Sequence, residues 1–361
     1  MAVIETRLFI NGEFVHALDG STFTLKSPFS GKTVAEVAEA KAEDVDRAVE
    51  CAKRAFPAWE GLDGSERRRL MLKLFADLVD EHAAEFARLE ALSMGKPVAG
   101  YMDQVMGTAT LRCKTSPSKN YPCMVFYYAD KALDIHGITL LTSKNHLNIS
   151  LRQPYGVTGA IIPWNVLLIM LCFKVGPSLI AGNEAGFPPG VLNILPGLGV
   201  PCSDAVARHM EIRKIAFTES TRTGKFIQKA ATEPNLKSCT LELGPLIVFD
   251  DADLERAAAA AAFSIVTNSG QVCMASSRVY VHSSVAGRPG DPDSKETSFG
   301  PQADEQQMKS VMAYLQLAQR DRLLRLRLRL GGFKGSGTGR ELGDEGLQAW
   351  AETKSVFISL P

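Results

Sequence analysis

Three short apolar runs, at 156–163, 191–197 and 212–218, constrain the fold of this chain more than any other feature. Gly156-Val-Thr-Gly-Ala-Ile-Ile-Pro163 reads as a buried parallel strand with a Pro-punctuated end. Residues 167–179 are apolar all round, which predicts a buried helix behind that strand. Val191-Leu-Asn-Ile-Leu-Pro-Gly197 predicts the next strand, and 212–218 another that leads into a helix through a turn of small residues. Parallel strands need crossover segments between them, so the expected fold is α/β with an open parallel sheet. In such a sheet ligands gather at the carboxyl ends of the strands.

Two of those strand ends carry polar residues. Asn165 follows Pro163-Trp164, where an asparagine is either a turn former or a group aimed at a ligand. Phe217-Thr-Glu219-Ser220-Thr-x-x-Gly224 joins a strand to a helix N-terminus, where unpaired N–H groups and the helix dipole face an anion. The same residues also suit a plain capped helix with Ser220 as N-cap.

Further on, Thr240-Leu-Glu242-Leu-Gly244 ends a short strand, and an alanine-rich helix leads to Asn268-Ser-Gly270-Gln-Val-Cys273-Met-Ala-Ser-Ser277. Small polar neighbours leave the Cys273 sulfur unshielded and place backbone N–H groups where an oxyanion would form. A carboxylate such as Glu242, one water away, could release an acyl group from that sulfur. Taken singly, Cys273 equally suits a buried small hydrophobe and Glu242 a solvent-facing strand residue.

Composition narrows the field. The 361 residues suffice for two or three domains, and 45% hydrophobic content is that of an ordinary core-forming protein. With 40 basic and 40 acidic residues nothing favours a nucleic-acid partner. Seven scattered cysteines without CxxC spacing argue against a disulfide framework and a zinc site, and for a reducing compartment. The first residues do not read as a signal peptide, and the longest apolar run is too short to span a bilayer. The expected location is cytoplasmic, with no membrane partner.

The N-terminal third adds a hairpin around Asn11-Gly12, a turn at Ser27-Pro-Phe-Ser-Gly31 and a strand at 34–38. Helices are predicted over 42–59 and 65–92, with Asp44 and Ser65 as N-caps and Gly95-Lys-Pro97 as the second stop. Residues 115–122 look like a loop, and two β-rich segments, 138–142 and 146–152, follow. An Arg-Leu alternation at 324–330 is a basic-faced strand or a low-complexity filler, and 355–360 a short terminal strand.

Leu241-Glu-Leu-Gly244 followed by Asn268-x-Gly-Gln-x-Cys273 resembles the paired active-site signature of the NAD(P)-dependent aldehyde dehydrogenase superfamily. The N-terminal order of elements and Pro163-Trp164-Asn165 are similar to that family as well. The resemblance implies a Rossmann-type cofactor domain, an α/β catalytic domain and a small β oligomerisation arm. It divides the chain into an N-terminal and cofactor-binding domain at 1–240, with 136–153 as oligomerisation hairpin. A truncated catalytic domain at 241–340 and a C-terminal helix and oligomerisation strand at 341–361 complete it. It implies oxidation of an aldehyde with NAD or NADP by a homo-oligomer, with Cys273 as nucleophile, Glu242 as water-activating base and Asn165 as oxyanion donor. Ile161, Pro163, Trp164, Ser220, Gly224, Leu243 and Gly244 fall to the cofactor, and the terminal strand could pair with a partner subunit.

The chain departs from the family at four places. Asn183 runs directly into Glu184, where the family has a strand and helix carrying a Lys-Pro-Ser/Ala-Glu motif whose lysine and acidic residue hold the adenosine ribose. Glu219 replaces the glycine of Phe-Thr-Gly-Ser, adding bulk and negative charge where the diphosphate would lie. The loop after Gly244 is shortened, and the Glu-x-Phe-Gly-Pro motif that holds the nicotinamide ribose is missing. These departures leave two alternatives open beside the dehydrogenase, a degenerate protein with a binding or structural role and a cofactor-free esterase.

Overall fold

The computed structural model describes residues 4–70, 78, 81–98, 128–129, 131–143, 146–183, 188–242, 337–339 and 343–359. The chain opens with the hairpin β1 (Leu8–Ile10) and β2 (Glu13–Val15), turned at Asn11 and Gly12 with φ of 56° and 80°. Both central residues are left-handed, as a turn matching strand twist requires. A second antiparallel pair, β3 (Thr22–Lys26) and β4 (Thr33–Ala38), brackets the Ser27 turn; β3 adds a strand to the one expected from the sequence.

Helix α1 (Ala42–Glu60) matches its predicted span, but its start is built differently. Lys41 is the N-cap, and Asp44 sits at the third helical position, where its carboxylate accepts the Lys41 N–H at 3.1 Å and the Leu18 N–H at 3.1 Å. A carboxylate there satisfies one otherwise open N–H of the helix entry and ties it to the preceding loop. The span expected as one helix from Ser65 is seen as α2 (Gly64–Leu70) and α3 (Ala83–Met94), with 71–77 outside the described residues. Asp63, not Ser65, accepts the first-turn Glu66 N–H, at 2.8 Å. Gly95 ends α3 with a φ of 76°, the left-handed stop that glycine allows.

After a single helical turn at Lys131–Leu133, β5 (Thr139–Ser143) and β6 (His146–Pro154) form the predicted hairpin. β7 (Thr158–Ile161) leads to α4 (Leu167–Ile180), whose apolar circumference is buried. The strand expected at 191–197 is absent; only Ile194 bridges to Phe9, antiparallel, through N–H···O bonds of 2.8 and 3.0 Å. Its backbone partner lies in the N-terminal hairpin and not in the central sheet, so one bridge forms in place of a ladder. Asn193 adds to that bridge by accepting the Asn11 N–H at 2.9 Å.

Short α5 (Asp204–Arg208) precedes β8 (Lys214–Thr218), α6 (Thr221–Asn235) and β9 (Ser238–Glu242). β10 (Gly337–Thr338), α7 (Gly343–Gln348) and β11 (Ala351–Ser359) close the described chain. The central sheet runs β10-β9-β8-β7, parallel from β7 to β9 with β10 antiparallel. Among the described residues β7 is therefore an edge, although its sequence reads as a strand flanked on both sides.

Register sorts the side chains of this sheet. Ile215, Phe217 and Leu241 share one core with Ile227, Ala230 and Ala231 of α6 and with the N-terminal hairpin. Ala216 on the opposite face packs against Ala181 and Trp350. A second core gathers Trp59, Tyr128, Leu347 and α4 residues such as Leu168, Cys172 and Leu179. β11 pairs with β6 along its whole length, Ala351 opposite Pro154 through Ser359 opposite His146. The terminal strand, read by resemblance as one that could pair with a partner subunit, is thus a strand of its own chain's three-stranded sheet, β11-β6-β5.

Candidate active site at the carboxyl ends of three strands

β7, β8 and β9 end side by side, and each ending delivers one predicted site segment. Ile161 is the last residue of β7, in register with Phe217. Pro163 and Asn165 are buried and Trp164 half-buried in the turn that carries the chain from β7 into α4. Proline there fits because the chain must leave the ladder, where a missing N–H costs nothing.

At the end of β8, Thr218 stands opposite Glu242 in register. Thr218 is buried, and its hydroxyl has no hydrogen-bond partner among the described residues. Glu219 follows, exposed, with its backbone N–H donating to the Glu242 carbonyl at 3.3 Å. Ser220 is the N-cap of α6, as its sequence context suggests, and accepts the Thr223 N–H at 3.3 Å. Its hydroxyl also lies 3.3 Å from the Glu219 carboxylate, which places a negative charge at the helix N-terminus. Gly224, in the first turn of α6, is buried and donates to the Ser220 carbonyl at 2.9 Å.

Glu242 ends β9, half-buried, with Gly337 of β10 as its neighbour on the other side. The Gly-rich segment near the C-terminus thus returns beside the candidate base, which sequence spacing could not indicate. Alternation places Glu242, Thr240, Thr218 and Lys214 on one face of the sheet, opposite α6. On that face Lys214 is fully buried, donates to the Thr240 hydroxyl at 2.7 Å and lies 5.0 Å from the centre of the Trp350 ring and 5.7 Å from that of Tyr155. Aromatic faces stabilise a desolvated ammonium. Asn183 knits the same region together, accepting the Tyr155 N–H at 2.5 Å and donating to the Trp350 carbonyl at 2.6 Å.

Asn165, Ser220, Gly224 and Glu242 thus share one end of one sheet, whereas Cys273, Leu243 and Gly244 lie outside the described residues. The described thiols are of another kind. Burial pushes Cys202 and Cys239 up to about 11, where a thiol stays protonated and unreactive. Among the described residues no group of His, Cys, Asp and Glu is arranged to hold a metal ion, and no helix is long and apolar enough to cross a membrane.

The fold is that of an α/β protein whose candidate site lies at strand ends. Its family follows from comparison: residues 14–326 match the Aldehyde dehydrogenase family, and the chain belongs to it. Over 353 residues it is 40% identical to aldehyde dehydrogenase family 2 member B4, mitochondrial, of Arabidopsis thaliana, covering 87% of this chain and 63% of that protein. Human retinal dehydrogenase 2 is 39% identical over 357 residues, which cover 86% of this chain and 65% of the relative. This chain therefore spans less than two thirds of the length of these relatives. Among solved structures, PnpE from Pseudomonas sp. WBC-3 superposes with a TM-score of 0.86 at 29% identity, covering 99% of this chain and 98% of that one. PnpE has also been solved in complex with nicotinamide adenine dinucleotide, with a TM-score of 0.85 to this chain.

Proposed function

We propose that the chain oxidises an aldehyde to a carboxylic acid with NAD(P)+ through a covalent adduct on Cys273. The observation that carries this reading is the meeting of Asn165, the capped Ser220 turn and Glu242 at the ends of three adjacent strands. The Cys273 thiolate adds to the aldehyde carbon, and the carbonyl electron pair moves onto oxygen. The Asn165 side-chain amide and a backbone N–H at Cys273 hold that oxyanion. When bound, NAD(P)+ supplies the two-electron acceptor for the hydride that leaves the former aldehyde carbon, so the adduct becomes a thioester. Glu242 then takes a proton from water as the water attacks the thioester, and the carboxylic acid departs as the thiolate is restored.

The turn between β8 and α6 fits a phosphate in form, since a strand delivers it to a helix N-terminus whose N-cap is Ser220. Ser220 and Gly224 would hold the diphosphate there, with Ile161, Pro163 and Trp164 lining the neighbouring strand end and Leu243 and Gly244 following Glu242. Glu219 opposes the fit by its charge. That carboxylate, together with the missing crossover beside β7, favours a second reading, a cofactor-free esterase that uses only the thiolate, the oxyanion donor and the water base. In the first reading the aldehyde is the small-molecule partner and the chain works as a homo-oligomer in the cytoplasm.

Mixing the protein with an aldehyde and NAD+ or NADP+ and following the absorbance of reduced nicotinamide separates the two. Reduction that disappears in Cys273→Ser, with a thioester accumulating by mass spectrometry in Glu242→Gln, supports the dehydrogenase. Ester cleavage without any nicotinamide reduction would transfer the assignment to the esterase. A Glu242→Gln protein that turns over at the unmodified rate removes Glu242 as the base.

A further inference from the structure

Helix α4 begins two residues after Asn165, yet its N-cap position is Val166, whose side chain can accept no hydrogen bond. The first turn also carries no acidic residue. A helix start without a cap leaves N–H groups unsatisfied, and at the buried Leu168 that is costly. Here the acceptor comes from far away in sequence: the Glu90 carboxylate accepts the Leu168 N–H at 3.1 Å, across a separation of 78 residues.

Glu90 is 5% exposed, and its second oxygen is bonded to the ammonium of Lys96, itself 1% exposed. The local chain explains the pair. Glu90 lies on α3, Gly95 stops that helix in the left-handed region, and the reversal returns Lys96 to the carboxylate. Burial pulls the Lys96 ammonium below its usual range while Glu90 opposes that shift, as expected for an ion pair out of water. Such a pair adds little net stability compared with apolar residues, so its retention asks for another explanation.

We propose that the buried Glu90 side chain, its charge balanced by Lys96, is a positioning group that caps α4 from outside and thereby fixes Asn165 for the oxyanion. Lys96 balances the charge of the buried carboxylate, the Glu90 oxygen anchors the Leu168 N–H, and the anchored first turn fixes the direction in which the chain leaves Asn165. The inference rests on the reading of Asn165 as oxyanion donor. Glu90 and Lys96 themselves touch no substrate in this scheme.

The test uses acylation of the full-length protein by an activated phenyl ester, followed as phenol release, which needs no cofactor. Two double variants separate the hydrogen bond from the charge. Glu90→Gln with Lys96→Met keeps an acceptor for Leu168 and removes the ion pair; acylation should stay within about twofold of the parent. Glu90→Leu with Lys96→Met keeps an apolar filling but removes the acceptor; acylation should fall by about tenfold or more with KM nearly unchanged, the scale expected when a reacting group is misplaced. Both are then repeated with Asn165→Ala, where the Leu/Met pair should cause no further loss. A Leu/Met protein that acylates as fast as the parent, or one whose loss persists in full with Asn165→Ala, overturns the positioning role. If Asn165→Ala alone acylates at the parent rate, the oxyanion assignment falls too, and the proposal with it.

Discussion

The backbone N–H of Glu219 donates to the carbonyl of Glu242 at 3.3 Å, so the turn proposed to face a phosphate and the strand end proposed to carry the base are joined through the backbone. The two side chains have separate tasks. Glu242 projects on the face of Lys214 and Thr240, whereas the Glu219 carboxylate lies against Ser220 at the mouth of α6.

This separation makes Glu219 a clean target. Glu219→Gly keeps the backbone N–H that reaches Glu242 and removes only side chain and charge. A like charge about 4 Å from a phosphate costs about 1 kcal/mol with full water screening and about 4 kcal/mol near a protein surface, so NAD+ binding should tighten by roughly tenfold or more. Glu219→Gln should recover most of that gain if charge rather than bulk is responsible. Calorimetric titration of the three proteins gives the answer, and equal affinities would exclude Glu219 as a determinant.

Thiol reactivity should distinguish the proposed nucleophile, Cys273, from Cys202 and Cys239. With pKa values raised to about 11, Cys202 and Cys239 hold only about a thousandth of their thiol as thiolate near pH 8. Brief treatment of the native protein with iodoacetamide, followed by peptide mass mapping, should label Cys273 well before either. In the folded state Cys202 and the half-buried Cys239 keep their protons above the pH at which unfolded thiols lose them. Their contribution to stability is therefore intact below about pH 9 and declines as pH rises towards 11. Labelling of Cys239 ahead of Cys273 would contradict the assignment of the nucleophile.

Much of this site was legible from local rules. Ser220 as N-cap, the buried circumference of α4 and the hairpin at Asn11-Gly12 depend on near neighbours, and the structure reproduces them. Residues whose partners are distant were not legible. Glu90 caps a helix 78 residues away, Lys214 is enclosed by Tyr155 and Trp350, and Gly337 pairs with Glu242. The segment at 191–197 fails for a related reason: its composition suits a strand, but a ladder needs a neighbour along its length, and its partner, distant in sequence, is the single residue Phe9.

Gly339 should tolerate no side chain. Its φ is 99°, and a Cβ built there would stand 2.4 Å from the Thr240 methyl, on the residue that holds the Lys214 ammonium. Gly339→Ala should destabilise the protein by about 1 to 3 kcal/mol through strain and overpacking. Urea denaturation would reveal it as a lower midpoint with an unchanged slope. An unaltered midpoint would mean that this segment does not press on β9 in solution.

Removing residues 354–361 tests whether β11 holds the arm of its own chain. The deletion takes away Lys354 to Ser359, which pair with Leu151 through His146, and opens that edge of β6. An exposed strand edge seeks another strand, so the truncated protein should melt at a lower temperature and associate heterogeneously as concentration rises. Trp350 stays in place, 5% exposed over Lys214 and tied to Asn183, so the central sheet should survive and the damage should be confined to β5 and β6. Hydrogen exchange can locate that damage while light scattering follows association. A truncated chain that melts with the full-length protein and keeps its mass would show that β6 does not depend on β11.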